Sequence, residues 1–118
     1  MSELTSRPAD TAAIIVCAGN ASRMGGINKI LLPLGDTNVI GHCLRAFEAC
    51  GEIAEIIVVT KAENNAAIEE TAKSLGITKL RAITEGGSTR QQSVICGLKC
   101  VSSEMQYVAI HDGARPLV

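Results

Sequence analysis

The chain has 118 residues, of which 47% are hydrophobic and 19% are charged, and its formal net charge is -1. This length and apolar content suit one domain with a sizeable core. The near-neutral charge and the presence of only two aromatic residues, Phe47 and Tyr107, argue against binding to nucleic acid or to a membrane surface.

Residues 1–10 are polar and lack the apolar segment of a secretion signal, so we expect a flexible tail before one domain over residues 11–118. No apolar run reaches the roughly 20 residues that a transmembrane helix needs. Five cysteines without secretory context predict free thiols and a cytoplasmic protein. No second Cys or His pair joins Cys96 and Cys100 in a zinc site.

Four apolar segments predict β-strands. Residues 12–18 (AAIIVCA) form a continuous apolar run, which is typical of a strand that is buried on both faces. Residues 56–60 and 107–111 repeat this pattern, and residues 80–84 show a weaker version of it. We expect these strands to be too apolar for either face to be solvated.

Three segments between the strands have the spacing of amphipathic helices. Gly76 follows the second segment as a C-cap, and Ser88 or Thr89 can cap the start of the third. The apolar stripes consist of Ile40, Cys43, Leu44 and Phe47, then Ile68, Thr71, Ala72 and Leu75, then Val94, Leu98 and Val101.

The resulting order, β-α-β-α-β-α-β, predicts an α/β fold with a parallel sheet that is covered by helices and built by right-handed crossovers. Ligands of such sheets bind beyond the carboxyl ends of the strands. Three loops of unusual composition each follow a predicted strand, at residues 19–29, 85–90 and 112–116. The fold therefore predicts that the three loops share one rim.

The first loop, AGNASRMGGINK at residues 18–29, combines small residues with two basic ones. Ala18 and Gly19 allow backbone N–H groups to approach an anion, while Arg23 and Lys29 supply positive charge. This combination suits a triphosphate, although it matches neither the dinucleotide fingerprint nor a Walker A loop. The alternative is a glycine-rich surface loop with two solvated basic residues.

The second loop, EGGSTRQQSV at residues 85–94, permits a tight turn at Gly86 and Gly87 and then opens a helix. A helix N-terminus attracts negative charge or carbonyl oxygens, and Arg90 and Ser93 add donors. From these residues alone, an ordinary glycine turn before a capped helix is the favoured interpretation.

The third loop, HDGARP at residues 111–116, directly follows a buried strand. Asp112 is placed to hold Mg²⁺, a hard cation that takes one or two carboxylates together with phosphate oxygens. Arg115 can pair with a phosphate or with Asp112. We expect His111 to be a core histidine that is hydrogen-bonded to backbone, and His42 to have no special role.

The three loops together resemble the 2-C-methyl-D-erythritol 4-phosphate cytidylyltransferase family, over the chain from about residue 12 to its end. The first loop alone indicates only the nucleotidyltransferase superfamily, whereas GG-x-x-R-x-x-S-V with HD-x-A-R-P is more specific. The resemblance implies a Rossmann-like three-layer α/β/α fold of the nucleotide-diphospho-sugar transferase type, with a mainly parallel sheet. It also implies transfer of CMP from CTP to 2-C-methyl-D-erythritol 4-phosphate with Mg²⁺, releasing pyrophosphate.

The resemblance also implies roles for individual residues. Arg23 and Lys29 match the pair that neutralises the triphosphate and the charge developing at the α-phosphorus, and Asp112 matches the Mg²⁺ ligand. The implied nucleotide and substrate contacts are Ala18, Gly19, Gly87, Arg90, Ser93, Gly113 and Arg115. Because the substrate phosphate is already a nucleophile, no general base is needed, and catalysis depends on positioning and charge stabilisation.

Several positions depart from the family pattern. Ala21 replaces a usual glycine, and Lys29 follows Arg23 by six positions where seven are expected. That spacing keeps molybdenum-cofactor guanylyltransferases as an alternative. Cys17 stands where a small alanine is usual, which predicts a thiol near the nucleotide. Gly113 also stands where alanine is usual, and we expect this exchange to be without effect.

The length of the chain is a further departure, since family members are much longer. Their second half holds a β-arm that binds methylerythritol phosphate and joins two subunits, a second aspartate beside Mg²⁺, and a further lysine. We therefore expect an amino-terminal fragment that carries the CTP half of the site, binds CTP weakly, turns over little, and leaves apolar surface uncovered. The full-length form is expected to be a homodimer.

Two other functions compete with this interpretation. A ribitol-phosphate cytidylyltransferase shares the HD-x-x-R-P ending, but we expect T-R-N-E-T in its glycine loop, where this chain has Gln91, Gln92 and Ser93 after Arg90. A non-catalytic α/β module would bind nucleotide without releasing pyrophosphate. The clustering of charged residues on one predicted rim favours an enzyme for the parent protein.

Overall fold

The computed structural model describes residues 9–17, 23–24 and 27–113, and of residues 23, 24 and 27–29 it describes the backbone alone. Most of the expected tail, residues 1–8, lies outside this part. In chain order the elements are β1 (Thr11–Val16), β2 (Arg23–Met24), β3 (Ile27–Asn28), β4 (Pro33–Leu34), β5 (Thr37–Asn38), α1 (Val39–Ala49), β6 (Ile53–Thr60), α2 (Asn65–Leu75), β7 (Leu80–Glu85), α3 (Arg90–Leu98) and β8 (Tyr107–Asp112), with 3-10 turns at Lys29–Leu31 and Ala62–Asn64.

The four long strands form one sheet in the spatial order β7-β6-β1-β8, and every pairing in it is parallel. The predicted parallel α/β sheet is therefore confirmed. The chain winds outward from β1 through β6 to β7 and then crosses back to the other side of β1 as β8. The direction of winding reverses between β1 and β8, and we call this position the switch point. Ligands of open α/β sheets bind at such a position.

The register brings the carboxyl ends of all four strands to one edge, which we call the rim. Val16, the last residue of β1, is paired with Val59 on one side and with Asp112 on the other. Thr60 at the end of β6 is paired with Glu85 at the end of β7. The rim that the sequence predicts is thus present at the strand ends.

Helices cover both faces of the sheet. Alternate residues of β1 point to opposite faces, so β1 packs against helices on both sides. Ala13, Ile15 and Cys17 join a buried cluster that includes residues of α1 and α2. Ala12, Ile14 and Val16 join a second cluster, against which residues of α3 pack. This arrangement confirms the three-layer α/β/α prediction.

Local capping chemistry fixes the ends of the helices. The Asn38 side chain accepts a hydrogen bond from the Gly41 N–H at 2.8 Å and begins α1. Gly76 ends α2 with a φ of 70°, as predicted. Thr89 caps α3, but that helix ends at Leu98, so the placement of Val101 on its stripe is wrong. Val101 still packs against the same cluster from the turn that follows.

The prediction that both faces of every strand are buried is wrong for β8. Tyr107 is 62% exposed, Val108 38% and Ile110 45%. Strand β8 lies at the edge of the sheet, with β1 as its neighbour, and α3 contacts β1, β6 and β7 more extensively. The expected uncovered apolar surface is present here. No helix in the described ranges is long and apolar enough to cross a membrane.

Candidate functional site at the rim

The first loop reaches the rim from the end of β1. Arg23 in β2 is paired antiparallel with Asn28 in β3, so the loop folds back on itself and brings the backbone of Lys29 close to that of Arg23. Ile30, which follows Lys29, is fully buried in the cluster beneath α1 and anchors this end of the loop. The side chains of Arg23 and Lys29, and the whole of Ala18 and Gly19, lie outside the described residues.

The second loop leaves the rim between β7 and α3 and is held at both ends. The Gly86 N–H donates to the carbonyl oxygen of Thr60 at 3.0 Å, which ties the loop to the end of β6. The Gly87 N–H donates to Ser93 Oγ at 3.1 Å, which ties the turn to the body of α3. The favoured interpretation from sequence, a glycine turn before a capped helix, is therefore correct as a description of its structure.

Gln92 organises this loop, a structural role that was not predicted from the sequence. Its Oε1 accepts hydrogen bonds from the Ser88 N–H at 2.9 Å and from Ser88 Oγ at 2.7 Å. The Gln92 N–H donates to Thr89 Oγ1 at 3.0 Å. The signal that could have identified it is the spacing of Thr89 and Gln92, which is that of a capping box. In the usual capping box the glutamine accepts from the N–H of the N-cap residue, whereas here Gln92 accepts from Ser88, the residue before the N-cap.

Two of the polar residues of α3, Ser93 and Arg90, differ in exposure. Ser93 is only 1% exposed and its oxygen serves Gly87, so Ser93 shapes the loop from beneath. Arg90, the first residue of α3, is exposed. Its guanidinium is the group of this loop that is available to an anionic ligand at the rim.

Asp112 lies half-buried at the end of β8, beside Val16. Its negative charge contributes to raising the pKa of two thiols on the α1 side of the sheet. Burial raises the pKa of the Cys43 thiol to about 11, and Asp112 contributes to the increase. For Cys17, burial is the largest cause of a raised pKa, and Cys43 and Asp112 add to it. Both thiols are therefore protonated at neutral pH.

The proximity of the Cys17 thiol to the nucleotide stays a prediction, and the structure places Cys17 directly after β1. Its side chain is 2% exposed and faces the core. The expectation that glycine in place of alanine at position 113 is without effect stays a prediction, and in this structure a Cβ on Gly113 would overlap with Cys17 Sγ. His111 packs its ring edge-on against Phe47, with centroids 5.7 Å apart, and Arg115 lies outside the described residues.

Gly87, Arg90 and Ser93 follow β7 at one side of the rim, and Asp112 and Gly113 end β8 at the other side, with β6 and β1 between them. With strands spaced about 4.8 Å apart, the ends of β7 and β8 are about 14 Å apart, a span that suits an extended ligand such as a nucleotide. No cluster of three or more potential metal ligands occurs in the part of the chain that the structure describes. Asp112 offers one carboxylate oxygen donor group at the end of β8, of the kind that hard cations take together with phosphate oxygens.

Comparisons with known proteins agree with the fold. Residues 11–118 match the family model of 2-C-methyl-D-erythritol 4-phosphate cytidylyltransferase (IspD). The protein of that name from Alkaliphilus oremlandii is 42% identical over 113 residues, which cover 92% of this chain and 47% of the relative. The one from Clostridium tetani is 39% identical over 107 residues, which cover 90% and 43%.

A solved structure shares the architecture. The crystal structure of 4-diphosphocytidyl-2C-methyl-D-erythritol synthase from Anaerococcus prevotii matches with a TM-score of 0.76 at 29% identity, covering 92% of this chain and 44% of that one. The chain thus spans less than half the length of these relatives.

Proposed function

The chain belongs to the 2-C-methyl-D-erythritol 4-phosphate cytidylyltransferase family, and we propose that the protein carrying it transfers CMP from CTP to 2-C-methyl-D-erythritol 4-phosphate with release of pyrophosphate. The observation that supports this most directly is the register at the switch point. Val16 is paired with Asp112 there, so the loop that follows β1 and the carboxylate that ends β8 leave the sheet side by side.

The first loop is proposed to hold the triphosphate. Backbone N–H groups at Ala18 and Gly19 would approach the phosphates, and Arg23 and Lys29 would neutralise their charge. The antiparallel pairing of Arg23 with Asn28 supports this role, because it brings the backbones of the two basic residues together. Arg115, which follows Gly113 by two residues in the sequence, would contact the nucleotide or the acceptor phosphate.

The second loop is proposed to recognise the cytidine. Gly87 lets the backbone turn closely against Gln92, and Ser93 holds that turn from beneath. Backbone groups of the turn would then meet the edge of the base, while Arg90 is exposed next to them. A loop that is tied at Gly86 and Gly87 is pre-organised, so less conformational entropy is lost when the base binds.

The donor set at β8 fits Mg²⁺. Mg²⁺ binds through one or two carboxylates plus substrate phosphates and water, and Asp112 offers one carboxylate at the rim where the triphosphate is proposed to lie. The Asp112 carboxylate is half-buried at the end of β8, beside Val16. When bound, the ion would supply positive charge to the phosphate oxygens. Gly113 continues the strand beside it.

Catalysis by these residues would consist of positioning and charge stabilisation. A phosphate oxygen of methylerythritol phosphate attacks the α-phosphorus of CTP, and the bond to the bridging oxygen of the pyrophosphate breaks. Arg23 and Lys29 would stabilise the charge that develops on the α-phosphate and on the leaving pyrophosphate. No proton needs to be removed from the attacking phosphate. A cytoplasmic location and a homodimeric state of the complete protein stay predictions from the sequence.

The test is pyrophosphate release by the complete gene product with Mg²⁺, CTP and 2-C-methyl-D-erythritol 4-phosphate. We expect release to require both substrates and to fail when GTP replaces CTP or ribitol phosphate replaces the acceptor. Asp112→Asn should lower the rate by at least about tenfold. Asp10→Asn is the matched control, because Asp10 directly precedes β1 and lies at the amino ends of the strands, away from the rim. Absence of release from the complete protein would refute the proposal.

A further inference from the structure

Cys17 and Gly113 lie side by side directly beyond the ends of β1 and β8. Each continues its strand by one hydrogen bond. The Cys17 N–H donates to the Val59 carbonyl oxygen at 2.6 Å, and the Gly113 N–H donates to the Val16 carbonyl oxygen at 3.0 Å. Both residues are buried. The sheet therefore extends at the switch point by one further residue on each strand.

The contact between the two residues leaves no room for a side chain at position 113. A Cβ there would overlap with Cys17 Sγ and would lie 2.8 Å from Ile15 Cγ2. Positive φ values among the described glycines occur at Gly35 and Gly76 and not at Gly113. The requirement for glycine at position 113 is thus steric, since its backbone conformation is open to other residues.

This contact determines how closely β8 can approach β1 at the rim. Protein interiors are close-packed, so a side chain added to one partner must displace the other. Gly113 directly follows Asp112, and Asp112 is paired with Val16, which directly precedes Cys17. A shift of Gly113 away from Cys17 is therefore transmitted to the Asp112 carboxylate through one peptide unit.

We propose that Cys17 and Gly113 form one packing unit that positions Asp112 at the rim, with Cys17 acting as a positioning residue by its size. The inference rests on the proposed function, because it takes Asp112 as the residue that holds the cation. Cys17 itself makes no contact with the cation or the nucleotide in this scheme. Its contribution is to fix the separation of the two strand ends.

The test is a double-mutant cycle in the complete protein with Mn²⁺ and CTP as the probe, measured by titration calorimetry well below the unfolding temperature of every variant. Gly113→Ala should weaken Mn²⁺·CTP binding by about tenfold, the effect typical of displacing a group that orients a metal ligand. Adding Cys17→Ala creates space for the new methyl group, so the double variant should recover to within about threefold of the wild type. A double variant that binds as weakly as Gly113→Ala overturns the inference.

Gly97→Ala is the matched control for a purely structural effect. A Cβ at Gly97 would lie 2.7 Å from Ile14 Cγ2 and 2.9 Å from Val59 Cγ2, which is also too close, but Gly97 lies on α3 and contacts neither Cys17 nor Asp112 through that atom. We expect it to lower the melting temperature without weakening Mn²⁺·CTP binding, and without rescue by Cys17→Ala. Equal weakening by Gly97→Ala would show that packing in general, and not this contact, is responsible.

Two further outcomes separate this inference from the proposed function. If the wild type binds Mn²⁺·CTP and Asp112→Asn weakens it, while Gly113→Ala does not, the inference alone is wrong. If the wild type does not bind Mn²⁺·CTP, the proposed function fails and the positioning role fails with it. Should Gly113→Ala not fold, the inference requires that the double variant folds and binds, and a double variant that also fails to fold overturns it.

Discussion

The buried hydroxyl oxygen of Ser93 accepts a hydrogen bond from the backbone N–H of Gly87 at 3.1 Å. The bond spans six residues and connects the first turns of α3 to the glycine turn above them. The shape of the proposed base-recognition loop is therefore set by a residue that is itself almost inaccessible, at 1% exposure.

Ser93→Ala should loosen this loop. Loss of the acceptor costs about 1 kcal/mol of stability, because the Gly87 N–H is exposed and can bond to water instead. Affinity for CTP, measured by titration calorimetry, should fall about fivefold, since the loop must then be ordered on binding. Ser74→Ala is the control, because the Ser74 hydroxyl bonds within α2 to Thr71. Unchanged CTP affinity in Ser93→Ala would contradict this role.

Gly87→Ala should have a larger effect on the same loop. A Cβ there would overlap with the Gln92 side chain and lie 2.9 Å from its Oε1, the atom that accepts both bonds from Ser88. Displacing Gln92 disrupts those bonds, and we expect CTP affinity to fall about tenfold or more. Gly51→Ala provides the comparison, since a Cβ at Gly51 would meet nothing within 4 Å. Binding curves that are identical for the two variants would count against the proposed turn.

Lys29→Ala and Arg23→Ala should each lower the rate of pyrophosphate release from the complete protein by at least about 10²-fold. The reason is that each removes a positive charge proposed to stabilise the α-phosphate and the leaving group. Steady-state kinetics should show the loss mainly in kcat. Lys73→Ala, on the exposed surface of α2, should leave the rate unchanged. A rise in KM with kcat unchanged would mean that these residues contribute to substrate binding without selectively stabilising the transition state.

The thiols should differ in reactivity according to burial. Cys17 and Cys43 are buried and have raised pKa values, whereas Cys50 is exposed. Since the thiolate is the reactive form, iodoacetamide at pH 8 should modify Cys50 first, and Cys17 and Cys43 only after denaturation. Peptide mass spectrometry after timed quenching measures this order. Early modification of Cys17 in the folded protein would contradict its burial.

Stability should decrease at alkaline pH because of the same two thiols. Above about pH 9 the cysteines of the unfolded chain lose protons, whereas Cys43 in the folded chain keeps its proton up to about pH 11. The unfolded state then binds fewer protons than the native state, so the free energy of unfolding falls as pH rises. Urea titrations between pH 8 and pH 11 should show a shallower decrease in Cys43→Ala than in the wild type. If the free energy of unfolding falls equally steeply with pH in both proteins, Cys43 is not the origin of the decrease.

Much of the fold could be predicted because its signals are local. The apolar runs of β1 and β6 indicate strands that are buried on both faces, and Gly76 and Thr89 end and begin helices through their own backbone and side-chain chemistry. The order of strands and helices follows from these segments. The parallel sheet and its rim then follow from general rules of chain connection.

The candidate site could be predicted only in part. The loops were identified by composition, because glycine, basic and acidic residues at strand ends carry a recognisable chemistry. Gln92 was missed as an organiser of the glycine turn, since its bonds to Ser88 depend on how the turn folds back over α3. That β8 is the exposed strand was also missed, because residues 108–110 form an apolar run like the one in β1.

The elements, their order, the three loops and the family resemblance can all be read from the amino-acid sequence, since each depends on residues that are near one another along the chain. The pairing of Val16 with Asp112, the support of Gly87 by Ser93, and the exclusion of a side chain at position 113 by Cys17 are visible only in the folded chain. These contacts depend on the shapes of side chains that meet only after folding. Cys17 and Gly113 are far apart in the chain, and neither residue type reveals the other as its neighbour.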